Sequence, residues 1–305
     1  MAGDGVTLVT GASGLIGRAL VAELRAAGRR VRLVSRTPGQ LAAGAGVETV
    51  GWDGLALETK ALDGASAVVH LAGEPIFAGV PTRARRERMW ASRIRSTKGL
   101  VEQIAAQPSS ERPGTLVSAS AVGFYGDRGE EELTEAAPPG AGFLADLCAA
   151  WEEEAERAAE LGLRVVRLRF GVVLSRRGGA LPLLARAFRL GLGGRIGSGR
   201  QWFPWIHRDD AVALARRAHD DAGVAGPLNA VAPAAVRNAE FTRAVASAVQ
   251  RPALLPAPAF AVRLALGELA VELLGSRHVL PARAEALAHR FAHPTLATAL
   301  PAELQ

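Results

Sequence analysis

Residues 10–17 read Thr10-Gly11-Ala12-Ser13-Gly14-Leu15-Ile16-Gly17, and they constrain the chain more than any other stretch. They follow a short apolar run, Val6 to Thr10, and open a segment, Leu15 to Ala27, in which Leu20 and Leu24 recur at helical spacing before Gly28 stops it. A glycine-rich turn between a buried strand and a helix directs backbone N–H groups outward at the helix N-terminus, where the helix dipole also favours an anion. The pattern predicts a seat for the pyrophosphate of a dinucleotide, formed by Gly11, Ser13, Gly14, Leu15, Ile16 and Gly17.

The alternation continues. Val31 to Ser35, Val47 to Gly51 and Ala67 to Leu71 read as further short buried strands. A long polar helix is expected from Thr82 to Gln107, a strand at Thr115 to Ser118, a helix at Phe143 to Leu161 and a strand at Arg164 to Leu168. Six strands with intervening helices predict an α/β chain with a doubly wound parallel sheet. Beyond Gly171 the rhythm turns irregular, with a glycine-rich stretch at Gly191 to Gly199, a helix near Asp209 or Asp210, a strand at Leu228 to Val231 and Asn238 as a helix cap. The expected division is a dinucleotide-binding domain over 1–170, rejoined by a strand near 226–232, and a smaller substrate lobe over 171–305.

Composition removes several classes. About half of the 305 residues are apolar, enough for a sizeable core. The formal charge is +6, and all basic residues but Lys60 and Lys98 are arginines, spread from Arg18 to Arg290 rather than gathered with aromatics on one face. No nucleic acid is expected as a partner. The most apolar late stretch, Pro252 to Leu274, is broken by prolines and charges, so no membrane span is expected. Cys148 is the only cysteine, which excludes an intramolecular disulfide and fits a reducing cytoplasm. No metal site is expected either, because His289 and His293, four residues apart, have no third ligand beside them in sequence.

The end of the second strand selects among dinucleotides. An acid there bonds a ribose 2′-hydroxyl, whereas an arginine accommodates a 2′-phosphate. Here the stretch reads Val34-Ser35-Arg36-Thr37, so Ser35 and Arg36 favour NADP(H) over NAD.

The glycine octet resembles that of the short-chain dehydrogenase/reductase superfamily, in its extended, epimerase-type branch. Further stretches carry the likeness across the chain: His70 to Pro75, Ser92 to Thr97, Ser118 to Gly126, Trp151-Glu152, Gly197 to Gly199, Trp205 to Asp210 and Gly226 to Pro233. Together they resemble an epimerase-like family of atypical short-chain dehydrogenases whose C-terminal segment is a domain of unknown function. The resemblance implies a Rossmann fold and a small-molecule substrate. It also implies that Leu71, Ala72, Gly73 and Arg93 lie along the cofactor, that Asp53 meets the adenine, and that Phe170 and Gly171 approach the nicotinamide. For Asp53 a turn role before Gly54 stands equally open.

The catalytic position departs from that superfamily, which pairs a Ser or Thr with Tyr-x-x-x-Lys. The only tyrosine is Tyr125, and neither lysine follows it at that spacing. Where the pair should fall, the chain reads Phe143-Leu144-Ala145-Asp146-Leu147-Cys148. The remaining proton-transfer candidates are Ser120, Tyr125 and Glu74, against bland roles as a strand-end hydroxyl, a packed aromatic and a solvated carboxylate. Arg200, Gln201, Trp202 and His207 are candidate substrate contacts, or else part of an aromatic plug. Val262, Leu266, Leu269 and Leu273 form an apolar face suited to lobe packing or to a homodimer contact. Two functions stay open: an NADP(H)-dependent oxidoreductase or epimerase on a small carbonyl compound or sugar nucleotide, and a catalytically silent NADP(H)-responsive regulatory module.

Overall fold

The computed structural model describes residues 5–40, 46–58, 60–76 and 82–304. Its strands are β1 (Val6–Thr10), β2 (Val31–Ser35), β3 (Val47–Gly51), β4 (Ala65–His70), β5 (Thr115–Ala121), β6 (Glu132–Leu133), β7 (Arg164–Phe170), β8 (Val172–Leu174), β9 (Trp205–His207), β10 (Gly226–Ala230) and β11 (His278–Val279). Seven of them form one sheet in the order β10-β7-β5-β4-β1-β2-β3. The pairings of β1 with β2 and β4, of β2 with β3 and of β4 with β5 are parallel. Every residue of β1 is buried, as expected of a strand covered on both faces. The order reverses between β1 and β4, the point at which open α/β sheets bind ligands beyond their strand ends.

The chain groups into two compact units: 1–120 with 149–168 and 212–227, and 121–148 with 169–211 and 228–305. In the first, α1 (Leu15–Ala26), α2 (Arg83–Trp90) and α3 (Ser96–Ala105) connect the early strands. Its core joins Leu8, Val34 and Val68 from the sheet to Leu100, Val101 and Ile104 of α3 and to Ala155 and Ala158 of α4 (Phe143–Glu160). In place of the single helix expected from Thr82 to Gln107, a π-helical turn at Ala91–Arg95 separates α2 from α3. Such turns accommodate an extra residue and recur at functional positions.

The second unit holds α5 (Leu181–Arg189), α7 (Asn238–Ala248), α8 (Ala259–Leu266), α9 (Val271–Leu274), α10 (Ala282–Ala286), α11 (Leu296–Leu304) and the short pairs β8–β9 and β6–β11; α6 (Arg208–Asp220) begins there and continues into the first. Phe241 and Val245 of α7, Leu296, Ala299 and Leu300 of α11 and Trp205 of β9 make its core. Asn238 begins α7 rather than capping it. The cap residue is Arg237, whose N–H donates to Glu240 Oε2 at 2.7 Å, while Asn238 Oδ1 accepts from the Ile196 N–H. The late apolar face is broken where α8 stops at Gly267, which has a φ of +53°; Val262 and Leu269 are buried. Among the described residues no helix is long and apolar enough to cross a membrane.

Candidate functional site

The glycine turn of the first unit is shaped by close backbone approach. Gly11 has a φ of +68°, and a Cβ there would lie 2.7 Å from the Leu71 backbone; at Gly17 it would lie 2.3 Å from the Gly11 carbonyl oxygen. Only glycine fits either place. Gly14 N–H closes the turn onto the Gly11 carbonyl at 2.9 Å, and Ser13 and Gly14 are exposed. No side chain caps α1 and no acid lies in its first turn. Its N-terminal donors and dipole are therefore uncompensated by the protein, which is what a bound phosphate requires.

Ser35 ends β2, its Oγ accepting from the Thr37 N–H at 3.0 Å. Arg36 is exposed just beyond, with no carboxylate of the described residues bound to it. Asp53 is exposed and folds its own turn: Oδ1 accepts from the N–H groups of Leu55 and Ala56, both at 2.7 Å, which lower its pKa, Ala56 most.

After β4, Leu71 N–H donates to the Thr10 carbonyl, and Ala72 N–H to Thr10 Oγ1. His70, fully buried, pairs Nδ1 with the same Thr10 hydroxyl at 2.8 Å, and burial pushes its pKa down to about 4. The buried Arg93 sits beneath the next residues, donating to the Glu74 carbonyl at 2.8 Å and packing over Trp151. It would lie 3.2 Å from a Cβ on Gly73. The π-helical turn that carries Arg93 also supplies Ser92, whose Oγ accepts from the Glu74 N–H. Glu74 is partly exposed and paired: its Oε1 lies 3.3 Å from Arg88 Nε and 3.7 Å from the buried Arg85. Two guanidiniums hold it in place.

Ser120 is 3 % exposed and donates its hydroxyl hydrogen to Glu152 Oε1 at 2.6 Å. Glu152 is buried as well, with Arg167 3.9 Å from its other oxygen. Sequence reasoning met Glu152 only within a motif, because a glutamate mid-helix gives no sign that it is buried.

In the second unit, Tyr125 is brought inward, but its hydroxyl is fully engaged. It accepts from Arg169 at 2.8 Å and directs its one hydrogen toward Asn229 Oδ1 at 2.7 Å and the Thr134 carbonyl at 3.1 Å. Burial raises its pKa, partly offset by Arg169. Phe170 is buried, and Gly171 allows the Pro204 carbonyl to approach within 3.0 Å of where a Cβ would be.

The four candidate substrate contacts are dispersed within local frameworks. Gln201 Nε2 donates to the Ile196 and Leu273 carbonyls, both at 3.0 Å. Trp202 stacks on His278 at 4.0 Å, lies under Arg237 and donates Nε1 to Glu130 at 3.0 Å. Hydrogen bonds from Arg237, then Trp202, hold the Glu130 carboxyl down at about 2. Arg200 is exposed, and its carbonyl accepts from Arg237. His207 is 1 % exposed and lies against His293.

Sequence reasoning passed over Glu272. A Cβ on Gly123 would lie 3.4 Å from Leu144 Cβ, 3.7 Å from Cys148 Sγ and 3.7 Å from Glu272 Oε2. The carboxyl and side chains of the Phe143–Cys148 stretch thus both approach Gly123. Burial raises its pKa, and Arg277, 2.7 Å from Oε1, opposes that rise.

The NAD dependent epimerase/dehydratase family model matches residues 7–230, and the Domain of unknown function (DUF1731) matches 257–303. An epimerase family protein of Mycobacterium bovis is 40% identical over 301 residues, 97% of each chain. An Arabidopsis thaliana relative, described as a chloroplastic epimerase family protein SDR39U1 homolog, is 38% identical over 97% of this chain and 86% of its own. The crystal structure of the human epimerase family protein SDR39U1 (isoform 2) with NADPH superposes with a TM-score of 0.85 at 36% identity, covering 97% of this chain and 98% of that one.

Proposed function

The chain belongs to the NAD dependent epimerase/dehydratase family, and from that premise we propose that it binds NADP(H) and acts as an oxidoreductase or epimerase on a small carbonyl compound or sugar nucleotide. The observation that carries the cofactor is the uncapped, Cβ-free turn at Gly11 to Gly17, together with Arg36 exposed where an NAD-binding chain would present an acid. The human relative solved with NADPH supports the same reading.

A bound nicotinamide would supply or accept a hydride. The protein's part is to hold the pyrophosphate on the N-terminus of α1, to neutralise a 2′-phosphate with Arg36, and to line the loop after β4 with backbone from Leu71 to Gly73. Proton transfer needs a group other than a Tyr-Lys pair. Ser120, Tyr125 and Glu74 are each engaged by a protein partner. Glu272, which like the Leu144 and Cys148 side chains approaches the place a Gly123 Cβ would occupy, is the acid we assign instead: it too has a partner, Arg277 at 2.7 Å from Oε1, but burial raises its pKa against that pairing.

A screen of aldehydes, ketones and nucleotide sugars, followed by NADPH absorbance, tests this reading. An active substrate should lose at least about tenfold in kcat with Glu272→Gln while NADPH affinity holds. Full rate in that variant would remove the assignment. The second reading, a silent NADP(H)-responsive module, is favoured by the engagement of both candidate hydroxyls, and predicts tight NADPH binding with no turnover across the screen. The single buried thiol, Cys148, supports a reducing compartment, as in cytoplasm.

A further inference from the structure

The second unit assembles a cluster that the nucleotide reading leaves unused. β9 ends on His207, Asp209 follows in the first turn of α6, and His293 lies just before α11. The two imidazole centroids are 3.8 Å apart, and one donor atom from each of His207, Asp209 and His293 lies within 4.8 Å of the others. Each ring has an oxygen behind it, hydrogen-bonded to His293 and at ion-pair distance from His207. His207 Nε2 is 3.1 Å from Glu303 Oε1, and Glu303, itself buried, is fixed by accepting from the Arg176 N–H at 2.7 Å. His293 Nδ1 is 3.1 Å from the Thr298 carbonyl. The Asp209 N–H donates to His207 Nδ1 at 3.2 Å, which puts the His207 lone pair on that nitrogen, and the Thr298 carbonyl takes the His293 Nδ1 proton, which leaves a lone pair on Nε2.

We propose that His207, Asp209 and His293 bind one divalent first-row transition metal, zinc foremost, with a fourth position left to water. Two imidazoles and one carboxylate suit zinc rather than calcium or magnesium, which prefer all-oxygen shells. A carboxylate behind one histidine and a backbone carbonyl behind the other are the outer partners that orient metal-bound imidazoles. Ligand atoms at zinc distances lie roughly 3.3 Å apart in a tetrahedron, so the cluster must tighten by somewhat more than about 1 Å. The Asp209 side chain is half exposed, its Oδ1 paired with Arg208 and its Oδ2 3.8 Å from His207 Nδ1, so Oδ2 is the oxygen that must close on the metal. What the metal displaces is the hydrogen bond from the Asp209 N–H to His207 Nδ1, 3.2 Å long. The ion would tie the end of β9 to the segment that leads into α11.

The test uses the full chain, free of any affinity tag, stripped with EDTA, dialysed and titrated calorimetrically with zinc chloride; cobalt(II) serves as a spectroscopic probe. One zinc per chain is expected, with cobalt absorption of a four-coordinate, nitrogen- and oxygen-ligated ion. His293→Ala, at a partly exposed position, should weaken binding at least about a hundredfold and Asp209→Asn about tenfold. Both should fold as the parent does by circular dichroism. His289→Ala, four residues before His293 and outside the cluster, should bind as the parent. Failure of stoichiometric zinc binding would overturn the proposal, as would binding that His293→Ala and Asp209→Asn leave unchanged or that His289→Ala abolishes. None of these outcomes depends on NADP(H).

Discussion

The two compact units build their polar sites by different means. In the first, the candidate nucleotide seat is made of backbone: Gly11, Gly14 and Gly17 within one turn, and Leu71 to Gly73 beside it. In the second, side chains from distant segments meet, as Tyr125 does with Arg169 and Asn229, Trp202 with Glu130 and Arg237, and His207 with His293 and Glu303. A backbone seat fails only where a glycine is replaced. A buried side-chain network fails wherever one partner is removed, because the others are left without a bond, whereas an exposed one such as Glu130 with Arg237 gives way to water.

The largest effect should come from the backbone seat. Gly17→Val would drive its side chain into the Gly11 carbonyl, and we expect NADPH affinity to fall at least about a hundredfold, roughly 3 kcal/mol. Calorimetry on a variant that still melts cooperatively measures this; unchanged affinity would mean that the turn is not the seat.

Next comes His70, in the first unit yet a side-chain feature. Its pKa of about 4 lies below the ordinary 6.5, so the unfolded chain takes up a proton that the native state refuses. This contribution to stability is complete above pH 6.5 and declines as pH falls toward 4, by about 3 kcal/mol in all. Urea melts across that range should show the slope, and His70→Asn should flatten it.

Tyr125→Phe sharpens the contrast further. Losing the phenol leaves Arg169 and Asn229 short of a partner, at about 1–3 kcal/mol of stability, with NADPH affinity intact. A fall in turnover without loss of stability would instead make the phenol a catalytic group. The smallest effect belongs to Glu130→Gln, because its pair with Arg237 is exposed: no resolvable change in Tm is expected, only the loss of a carboxyl that titrates near 2 by NMR.

The same contrast explains what could be read from the chain. β1, β2 and β3 lie at the expected residues; β1 is the buried apolar run that marks a central parallel strand, whereas β3, Val-Glu-Thr-Val-Gly at the sheet edge, holds no fully buried residue and shows itself by its two valines ahead of a glycine. The glycine turn was legible because all its parts are contiguous. The π-helical turn at Ala91–Arg95 was not, since it lies in a run of arginines whose apolar periodicity is too weak to mark a change of pitch. Asn238 has the right chemistry for a cap, yet its amide is used by Ile196, a tertiary contact with no local signal. His207 and His293 are far apart in sequence and meet through the packing of α11 and the Asp210 carboxylate, which accepts from the Ala292 and His293 N–H groups. Tyr125 could be singled out as the sole phenol, but only its partners reveal that the hydroxyl is engaged.

The central claim is that the first unit retains a working seat for a 2′-phosphorylated dinucleotide while the Tyr-Lys pair is gone. Calorimetric titration of the native chain and of Arg36→Ala with NADPH and with NADH tests the seat most directly. The native protein should prefer NADPH, and Arg36→Ala should lose about ten- to a hundredfold in NADPH affinity, roughly 1.5–3 kcal/mol, with little change for NADH. Equal affinity of the native chain for both cofactors, or an unaltered preference in Arg36→Ala, would contradict the account.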